Sequence, residues 1–291
     1  MNLTSAPQVK QLLARYGIRP KKRLGQNYLI DRNVLDRLLG AADLRPDSRV
    51  LEIGPGLGVV TRELADRVGK VVCVEIDRDL DPILRETLSG FPNVEIIIED
   101  FLKLDLAQLL GSRGGGKWTA IANLPYYVTT PILTRLIDCK QHFDSVLLMV
   151  QREVAQRLRA NAGGDDYGSI TVFVQYHCAI EIIMKVSRNV FYPVPEVDSE
   201  LIKLIVRDVP PVTVSDEALF FAIVRAAFGK RRKTLVNALS SSTALNWDRP
   251  RAEAVLRAAC VDPGRRGETL DLDEFAGVAN AAYLTRVCPC D

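Results

Sequence analysis

The chain is 291 residues long, 47% hydrophobic and 25% charged, the mix of a globular protein with one large or two ordinary domains, which excludes a disordered or collagen-like chain. No stretch approaches the ~20 apolar residues of a membrane-spanning helix, and Met1 to Lys10 lacks the apolar core of a secretory signal, so a cytoplasmic protein is expected. The net charge of +2 is unevenly laid out: between Phe221 and Arg266 ten Lys or Arg stand against three Asp or Glu, +7 in all, while the remainder carries −5. Basic and acidic parts of one chain usually meet different ligands.

An N-terminal helical extension is expected ahead of an α/β domain. From Arg49 to Val150 short β-branched runs alternate with amphipathic stretches, which implies parallel strands joined by crossover helices. The runs are Arg49 to Ile53, Lys70 to Ile76, Val94 to Ile98, Trp118 to Ala122 and Ser145 to Val150, each nearly all apolar, as strands covered on both faces should be. Helical stretches lie at Val59 to Val68, Leu80 to Leu88, Leu104 to Leu110 and Pro131 to Ile137. Arg152 to Asn161 reads as a helix, and Ile180 to Val186 and Glu200 to Val206 as further edge strands. Tyr167 to Cys178 fits either a strand or a buried helix, because periodicity does not separate the two. After Pro210-Pro211 the pattern turns helical, at Glu217 to Phe228, Lys233 to Ser240, Arg251 to Ala259 and Asp273 to Tyr283. A boundary there divides the chain into residues 1–209 and 210–291. The Gly114 to Gly116 run reads as a surface turn.

Six cysteines are scattered without a C-x-x-C pair, and only His142 and His177 are present to complete a metal site, so no structural metal is expected. Cys288 and Cys290 on the tail read as ordinary thiols.

The first strand ends in Glu52-Ile53-Gly54-Pro55-Gly56-Leu57-Gly58 and runs straight into a helix. Such a turn lets backbone approach a ligand at the carboxyl edge of a parallel sheet. Val59 stands where the dinucleotide fingerprint needs glycine, and glycines at 54, 56 and 58 follow instead the G-x-G-x-G spacing of S-adenosylmethionine enzymes. A structural turn without a ligand remains open at this level. Glu75 closes the second strand, where a carboxylate can accept both hydroxyls of a ribose; a plain surface carboxylate is the alternative. Glu99 and Asp100 end the third strand, and either can accept from an adenine amino group. No P-loop lysine is present, which argues against a triphosphate.

The fourth strand ends in Asn123-Leu124-Pro125-Tyr126. This tetrapeptide resembles the [DNS]-P-P-[YF] element of amino methyltransferases acting on adenine or cytosine. An exocyclic adenine nitrogen shares its lone pair with the ring and is a poor nucleophile until acceptors draw its N–H groups out of conjugation. The Asn123 side-chain oxygen and a carbonyl held by Pro125 can do this while Tyr126 stacks on the base. A sulfonium donor is already activated, so positioning and electrostatics supply most of the acceleration and no active-site His is needed.

Taken in order, these motifs resemble those of the small-subunit rRNA adenine dimethyltransferases, the KsgA family, over roughly Lys21 to Tyr283. Leu24-Gly25-Gln26-Asn27-Tyr28-Leu29 is similar to F-G-Q-N-F-L, and Asn123 to Tyr126 with Thr129-Thr130-Pro131 to N-L-P-Y-x-x-S/T-T-P. Gln151-Arg152-Glu153-Val154 and Tyr167-Gly168-Ser169 follow. Phe191 to Ser199 resembles F-x-P-x-P-K-V-D-S, and Phe228 to Leu235 resembles F-x-x-R-R-K-T-L. The resemblance implies a Rossmann-like class I S-adenosylmethionine-dependent methyltransferase domain with a small all-helical C-terminal domain. It implies S-adenosylmethionine as cofactor, lined by Asn27, Leu29, Gly54, Gly56, Glu75, Ile76, Asp100, Phe101 and Asn123, with Glu75 on the ribose and Asp100 on the adenine. It implies that Phe191 faces Tyr126 across the target base, with Asn123, Leu124 and Pro125 at the reacting nitrogen. The implied reaction puts four methyl groups on two adjacent adenosines of the 3′-terminal hairpin loop of small-subunit rRNA, where unstacking a base costs less than in a duplex. The implied partners are that rRNA and the assembling small subunit. Glu196 departs from the family's Lys and reverses a charge beside the pocket; Leu24 and Tyr28 replace Phe and keep apolar bulk.

Lys230, Arg231, Arg232 and Lys233, expected on one turn of helix, with Arg265 and Arg266 near in sequence, form the RNA footprint of the +7 segment, and Lys21, Lys22 and Arg23 a second patch. Three other readings remain: an Erm-type large-subunit rRNA methyltransferase, a ribosome-assembly binding factor on the same fold, and an NAD enzyme, the last opposed by Val59 and by the lack of a hydride-shuttling His or Lys. Two domains in one chain make a monomer the expected state.

Overall fold

The computed structural model describes residues 1–113, 116–125, 128–230 and 232–287. Tyr126, Arg231, Gly114, Cys288 and Cys290, all singled out above, lie outside the described residues. The chain divides into two compact units, Met1–Ala155 with Ala179–Val206 and Gln156–Cys178 with Arg207–Asp291. The second unit therefore takes in 156–178, which a single cut at 209/210 assigns to the sheet.

In the first unit, α1 (Ala6–Arg15) starts with Pro7 in its first turn and buries Val9, Leu12 and Leu13, the i, i+3, i+4 stripe of a helix with one apolar face. The short β1 (Tyr28–Leu29) precedes α2 (Arg32–Ala41), whose N-terminus is capped by the Asp31 carboxylate accepting from the Val34 N–H at 2.9 Å. Then β2 (Arg49–Ile53), α3 (Val59–Ala65), β3 (Lys70–Glu75), α4 (Asp81–Thr87) and β4 (Val94–Ile98) alternate. They are followed by α5 (Leu106–Gly111), β5 (Trp118–Asn123), α6 (Thr129–Asp138) and β6 (Phe143–Gln151). From there α7 (Arg152–Leu158) leads out of the sheet, and the chain later returns as β7 (Cys178–Val186), β8 (Phe191–Tyr192) and β9 (Ser199–Val206).

Seven strands form one sheet in the order β4-β3-β2-β5-β6-β9-β7. Those from β4 to β6 are parallel, and β9 runs antiparallel to β6, with Ser145 opposite Ile205 and Gln151 opposite Ser199. Val50, Leu51, Val71, Val72 and Ala120 are fully buried, which is why these strands read as unbroken apolar runs. The chain turns to opposite sides of β2 when it builds β3 and β5, so the crevice at the carboxyl ends of β2 and β5 is the topological switch point where open α/β sheets bind ligands. A second, two-stranded sheet pairs β1 with β8, Leu29 opposite Phe191 and Tyr28 opposite Tyr192.

In the second unit, α8 (Ser169–His177) resolves the ambiguity at Tyr167 to Cys178 in favour of a helix. Its Thr171, Val172, Val174, Tyr176 and His177 are all buried, and a helix covered nearly all round has no polar face to reveal its period. Around it stand α9 (Glu217–Phe228), α10 (Leu235–Ser240), α11 (Arg249–Ala258) and α12 (Leu272–Val287). Tyr176, Phe220 and Phe221 pack with ring centroids 4.9–5.1 Å apart at the centre of this core. Lys230, Arg232 and Lys233 lie in the turn between α9 and α10 and not on a helix, a correction to the expected helical placement. Gly229 ends α9, and the Lys233 N–H closes the turn on the Lys230 carbonyl at 2.9 Å.

Candidate active site

The main cleft of the first unit opens at the predicted crevice, with about 980 Å³ of empty space that includes its open mouth. Asn27, Gly54, Gly56, Glu75, Ile76, Asp100, Phe101, Asn123, Leu124, Pro125 and Phe191 all line it. Leu29 does not; it lines a smaller cavity behind the glycine turn, together with Glu52 and Leu57.

Each wall has a local cause. Gly54, Gly56 and Gly58 adopt φ of +71°, +59° and +84°, the left-handed region that glycine alone enters without strain. The turn thereby drops its backbone into the cleft floor, and Gly58 caps α3. Glu75, at the end of β3, is 5% exposed. Its Oε2 accepts the Gly56 N–H at 3.2 Å and its Oε1 the Asp77 N–H at 2.9 Å. Burial pushes its pKa up to about 7 against those backbone donors, so the anion gains from any further hydroxyl donor. Glu52, buried behind the turn, is pushed to about 7 by the same desolvation, and its Oε2 has no hydrogen-bond partner.

Beyond β4, the Glu99 N–H donates to the Glu75 carbonyl at 2.9 Å, which carries both acids of that strand end to the cleft. The Asp100 Oδ1 is held by the Leu102 N–H at 3.0 Å. Buried Phe101 and half-exposed Ile76 supply flat apolar surface between the carboxylates. Paired acceptors, apolar walls and a bare backbone floor fit a nucleoside-bearing cofactor such as S-adenosylmethionine.

At the end of β5 the Asn123 Nδ2 donates to the Asn27 carbonyl at 3.1 Å, which fixes the amide and leaves Oδ1 as its acceptor. The Pro125 carbonyl is taken by the Val128 N–H at 3.2 Å and the Thr129 hydroxyl at 3.1 Å. The acceptor that Pro125 can hold beside Asn123 is therefore the preceding carbonyl, that of Leu124. Phe191, 2% exposed in β8, forms the far wall.

Lys21 is not a free cation. Its ammonium donates to Asp77 Oδ1 at 2.5 Å and Asp79 Oδ2 at 2.6 Å, so of the three cations expected to meet RNA it is the one already paired with two carboxylates. Lys22 and Arg23, on the 3₁₀ turn that follows, are exposed, as are Lys230, Arg232 and Lys233 in the second unit. Arg265 is occupied by Glu274 and Thr269, whereas Arg266 is exposed. Glu196 is exposed, and its carbonyl accepts from Arg188 at 3.0 Å. Sequence reasoning did not single out Gln26 and Tyr28, which line the cleft, or Asp77, whose N–H donates to Glu75 from behind it; the G-Q-N run and the acid two residues past Glu75 are the signals for them.

The family model described as ribosomal RNA adenine dimethylase matches residues 17–276. Among curated relatives, ribosomal RNA small subunit methyltransferase A of Pelotomaculum thermopropionicum is 49% identical over 286 residues, 96% of this chain and 97% of its own. Among solved structures, a dimethyladenosine transferase from Plasmodium falciparum superposes with a TM-score of 0.72 at 26% identity over 86% of this chain and 95% of that one. The 23S rRNA methyltransferase ErmE gives 0.66 at 30% identity over 88% and 100%. With all but the ends of the chain matched, the protein belongs to the ribosomal RNA adenine dimethylase family.

Proposed function

We propose that the protein is an S-adenosylmethionine-dependent enzyme that dimethylates N6 of two adjacent adenosines in the 3′-terminal hairpin loop of small-subunit rRNA, as part of small-subunit biogenesis. The observation that carries this reading is the pinned Asn123 amide at the end of β5, its acceptor oxygen left for the cleft that Glu75 and Asp100 also line. When bound, the cofactor supplies a methyl group already activated on a positively charged sulfonium. Glu75 accepts the two ribose hydroxyls, and Asp100 uses its second oxygen for the adenine amino group. Ile76 and Phe101 flank the adenine, and Gly54 and Gly56 give the backbone a close approach. Asn27 completes this end of the site, with Leu29 behind the glycine turn.

On the substrate side, the Asn123 Oδ1 and the Leu124 carbonyl accept the two N6–H groups for the first transfer. This withdraws the nitrogen lone pair from the ring and aims it at the donor, the orientation effect that dominates such transfers. As the C–N bond forms and the S–CH3 bond breaks, one N6 proton is released, and the second transfer proceeds with the one N6–H that remains. Phe191 and Tyr126 stack on the two faces of the extruded base. Lys22 and Arg23, with Lys230 to Lys233, hold phosphates and leave base identity to the pocket. No helix among the described residues is long and apolar enough to cross a membrane, and the reading is of a monomer working in the cytoplasm.

A second reading is favoured by the 30% identity to a 23S rRNA methyltransferase over its whole length. The 49% identity to a small-subunit relative ranks it below the first. Labelled methyl transfer to under-methylated small subunits, large subunits and naked rRNA, followed by digestion and mass analysis, separates them. Dimethyladenosine in the small-subunit hairpin is the expected result. Label in large-subunit rRNA establishes the second reading, and binding without label leaves an assembly factor on a methyltransferase fold.

A further inference from the structure

We propose that Lys21, Gln26 and Asp77 form a latch that closes the strap of residues 21–29 over the cofactor and, through it, orients Asn123, which makes them positioning residues for methyl transfer. The inference rests on the cofactor reading above.

The strap is tied down at its start and touches the reaction centre at its end. Asp77, two residues past Glu75 and only 3% exposed, accepts the Lys21 ammonium on Oδ1 at 2.5 Å and the Gln26 amide on Oδ2 at 2.6 Å. The Gln26 Oε1 in turn accepts the Lys21 N–H at 2.8 Å and the Tyr28 hydroxyl at 3.3 Å, closing a ring of bonds across residues 21–28. The ring hangs from the sheet because the Asp77 N–H donates to Glu75. Gly25, Gln26, Asn27 and Tyr28 line the cleft. A side chain on Gly25 would meet Pro125 at 2.8 Å and one on Gly56 would meet Tyr28 at 3.0 Å, so the strap fits between the glycine turn and the catalytic turn with no slack. Just before the strap enters its ladder with β8, the Asn27 carbonyl accepts from Asn123.

Charge gives the latch its direction. Burial pushes the Asp77 carboxyl up, yet Lys21 and then Gln26 hold it below the usual carboxylate range. Asp79 shares the same ammonium. Without Lys21 a buried carboxylate would stand uncompensated beside Glu75, which already carries the repulsion of Asp77. The strap would then lift, and the cofactor floor and the Asn123 amide would loosen together.

The test uses full-length protein carrying Lys21→Met, Asp77→Asn or Lys21→Arg. Calorimetric titration with S-adenosylhomocysteine, hydrogen exchange of amides 24–29, KM and kcat for methyl transfer, and the salt slope of binding to an rRNA hairpin are measured. Lys21→Met and Asp77→Asn are expected to weaken S-adenosylhomocysteine about tenfold, or about 1.4 kcal/mol. Exchange in the strap rises, kcat falls, and the RNA salt slope stays within a few tenths. Lys21→Arg, which keeps donors for both carboxylates, recovers most of the loss. Wild-type affinity and exchange in both variants overturn the latch, and a salt slope lowered by about one unit in Lys21→Met makes Lys21 a phosphate contact instead. Wild-type protein that takes up no S-adenosylhomocysteine removes the cofactor reading and the latch with it.

Discussion

Three glycines with similar backbone angles make a controlled test of the cofactor floor, because a methyl group at each meets something different. At Gly17, φ +66°, an added Cβ finds nothing within 4 Å; Gly17→Ala therefore costs only the left-handed backbone, roughly 1–2 kcal/mol. At Gly56, φ +59°, the Cβ falls 3.0 Å from Tyr28 Cδ1 and 3.2 Å from Cε1. Tyr28 is buried, paired in register with Tyr192, and held at its hydroxyl by Gln26. The ring must move by a few tenths of an ångström, and overpacking adds about 1–3 kcal/mol to the backbone cost. At Gly54, φ +71°, the nearest atom is the Asn123 carbonyl oxygen at 4.0 Å, so the free protein accommodates the methyl at backbone cost alone. The methyl, however, occupies the space the ligand needs. Urea denaturation of ligand-free protein is expected to rank Gly17→Ala with Gly54→Ala and place Gly56→Ala lowest. Calorimetry with S-adenosylhomocysteine is expected to show Gly17→Ala unchanged and Gly54→Ala weakened by about a hundredfold, or about 2.7 kcal/mol. Gly54→Ala protein that binds as well as Gly17→Ala would refute the placement of the cofactor against this turn.

Other consequences are as direct. Asn123→Ala is expected to lower methyl transfer by about 10²–10³, the range for losing one preorganised polar contact to a transition state, while RNA affinity stays within a few-fold; parallel loss of both, measured by filter binding beside turnover, would sink the role. Arg232→Ala with Lys233→Ala removes two exposed cations and should lower the RNA salt slope by about two without touching S-adenosylhomocysteine affinity; an unchanged slope would make the turn a plain solvated surface. Glu75 is raised by burial from 4.5 to about 7 in the fold, so its contribution to stability is fully present below pH 4.5 and is lost as pH rises through about 7. Ligand-free melting temperature should therefore fall between pH 5 and pH 8, more steeply than in Glu75→Gln, and S-adenosylhomocysteine should bind more tightly over the same rise because its hydroxyls need the anion. Parallel pH profiles in the two proteins would contradict that assignment.

How much of this was legible in the residues follows from how each element is buried. The strands β2 to β6 are covered on both faces and read as unbroken apolar runs, and the turns after β2, β3 and β5 carry glycine, Glu75 and Asn123 with recognisable chemistry. The helix α8 was ambiguous because nearly all its faces are covered, and the strands β1 and β8, two residues each, are too short for any period. The basic run at Lys230 reads as helix in the sequence because Lys and Arg favour helices and only Gly229 marks the break. Leu29 is expected in the site with its motif neighbours; a two-residue strand points alternate side chains to opposite sides, and Tyr28 lines the main cleft while Leu29 lines the cavity behind the glycine turn.

Lys21 shows where local reading stops. In Lys21-Lys22-Arg23 three cations stand in a row, and sequence offers no reason to treat the first differently. Its partner Asp77 lies 56 residues away and becomes a neighbour only because β3 ends beside the glycine turn that the strap crosses. Burial then separates the three: Lys21 compensates an acid inside the fold, while Lys22 and Arg23 stay in water. A phosphate contact and an ion pair with a buried acid demand the same residue type but differ in salt dependence, because a cation that neutralises a phosphate releases counterions condensed on the RNA, and one held by carboxylates within the protein neutralises no phosphate. On the proposed reading the same run serves two ends of the reaction, and the change in salt slope on single substitutions along it, near zero at Lys21 and a loss of about one unit at Lys22 or Arg23, would mark where one role gives way to the other.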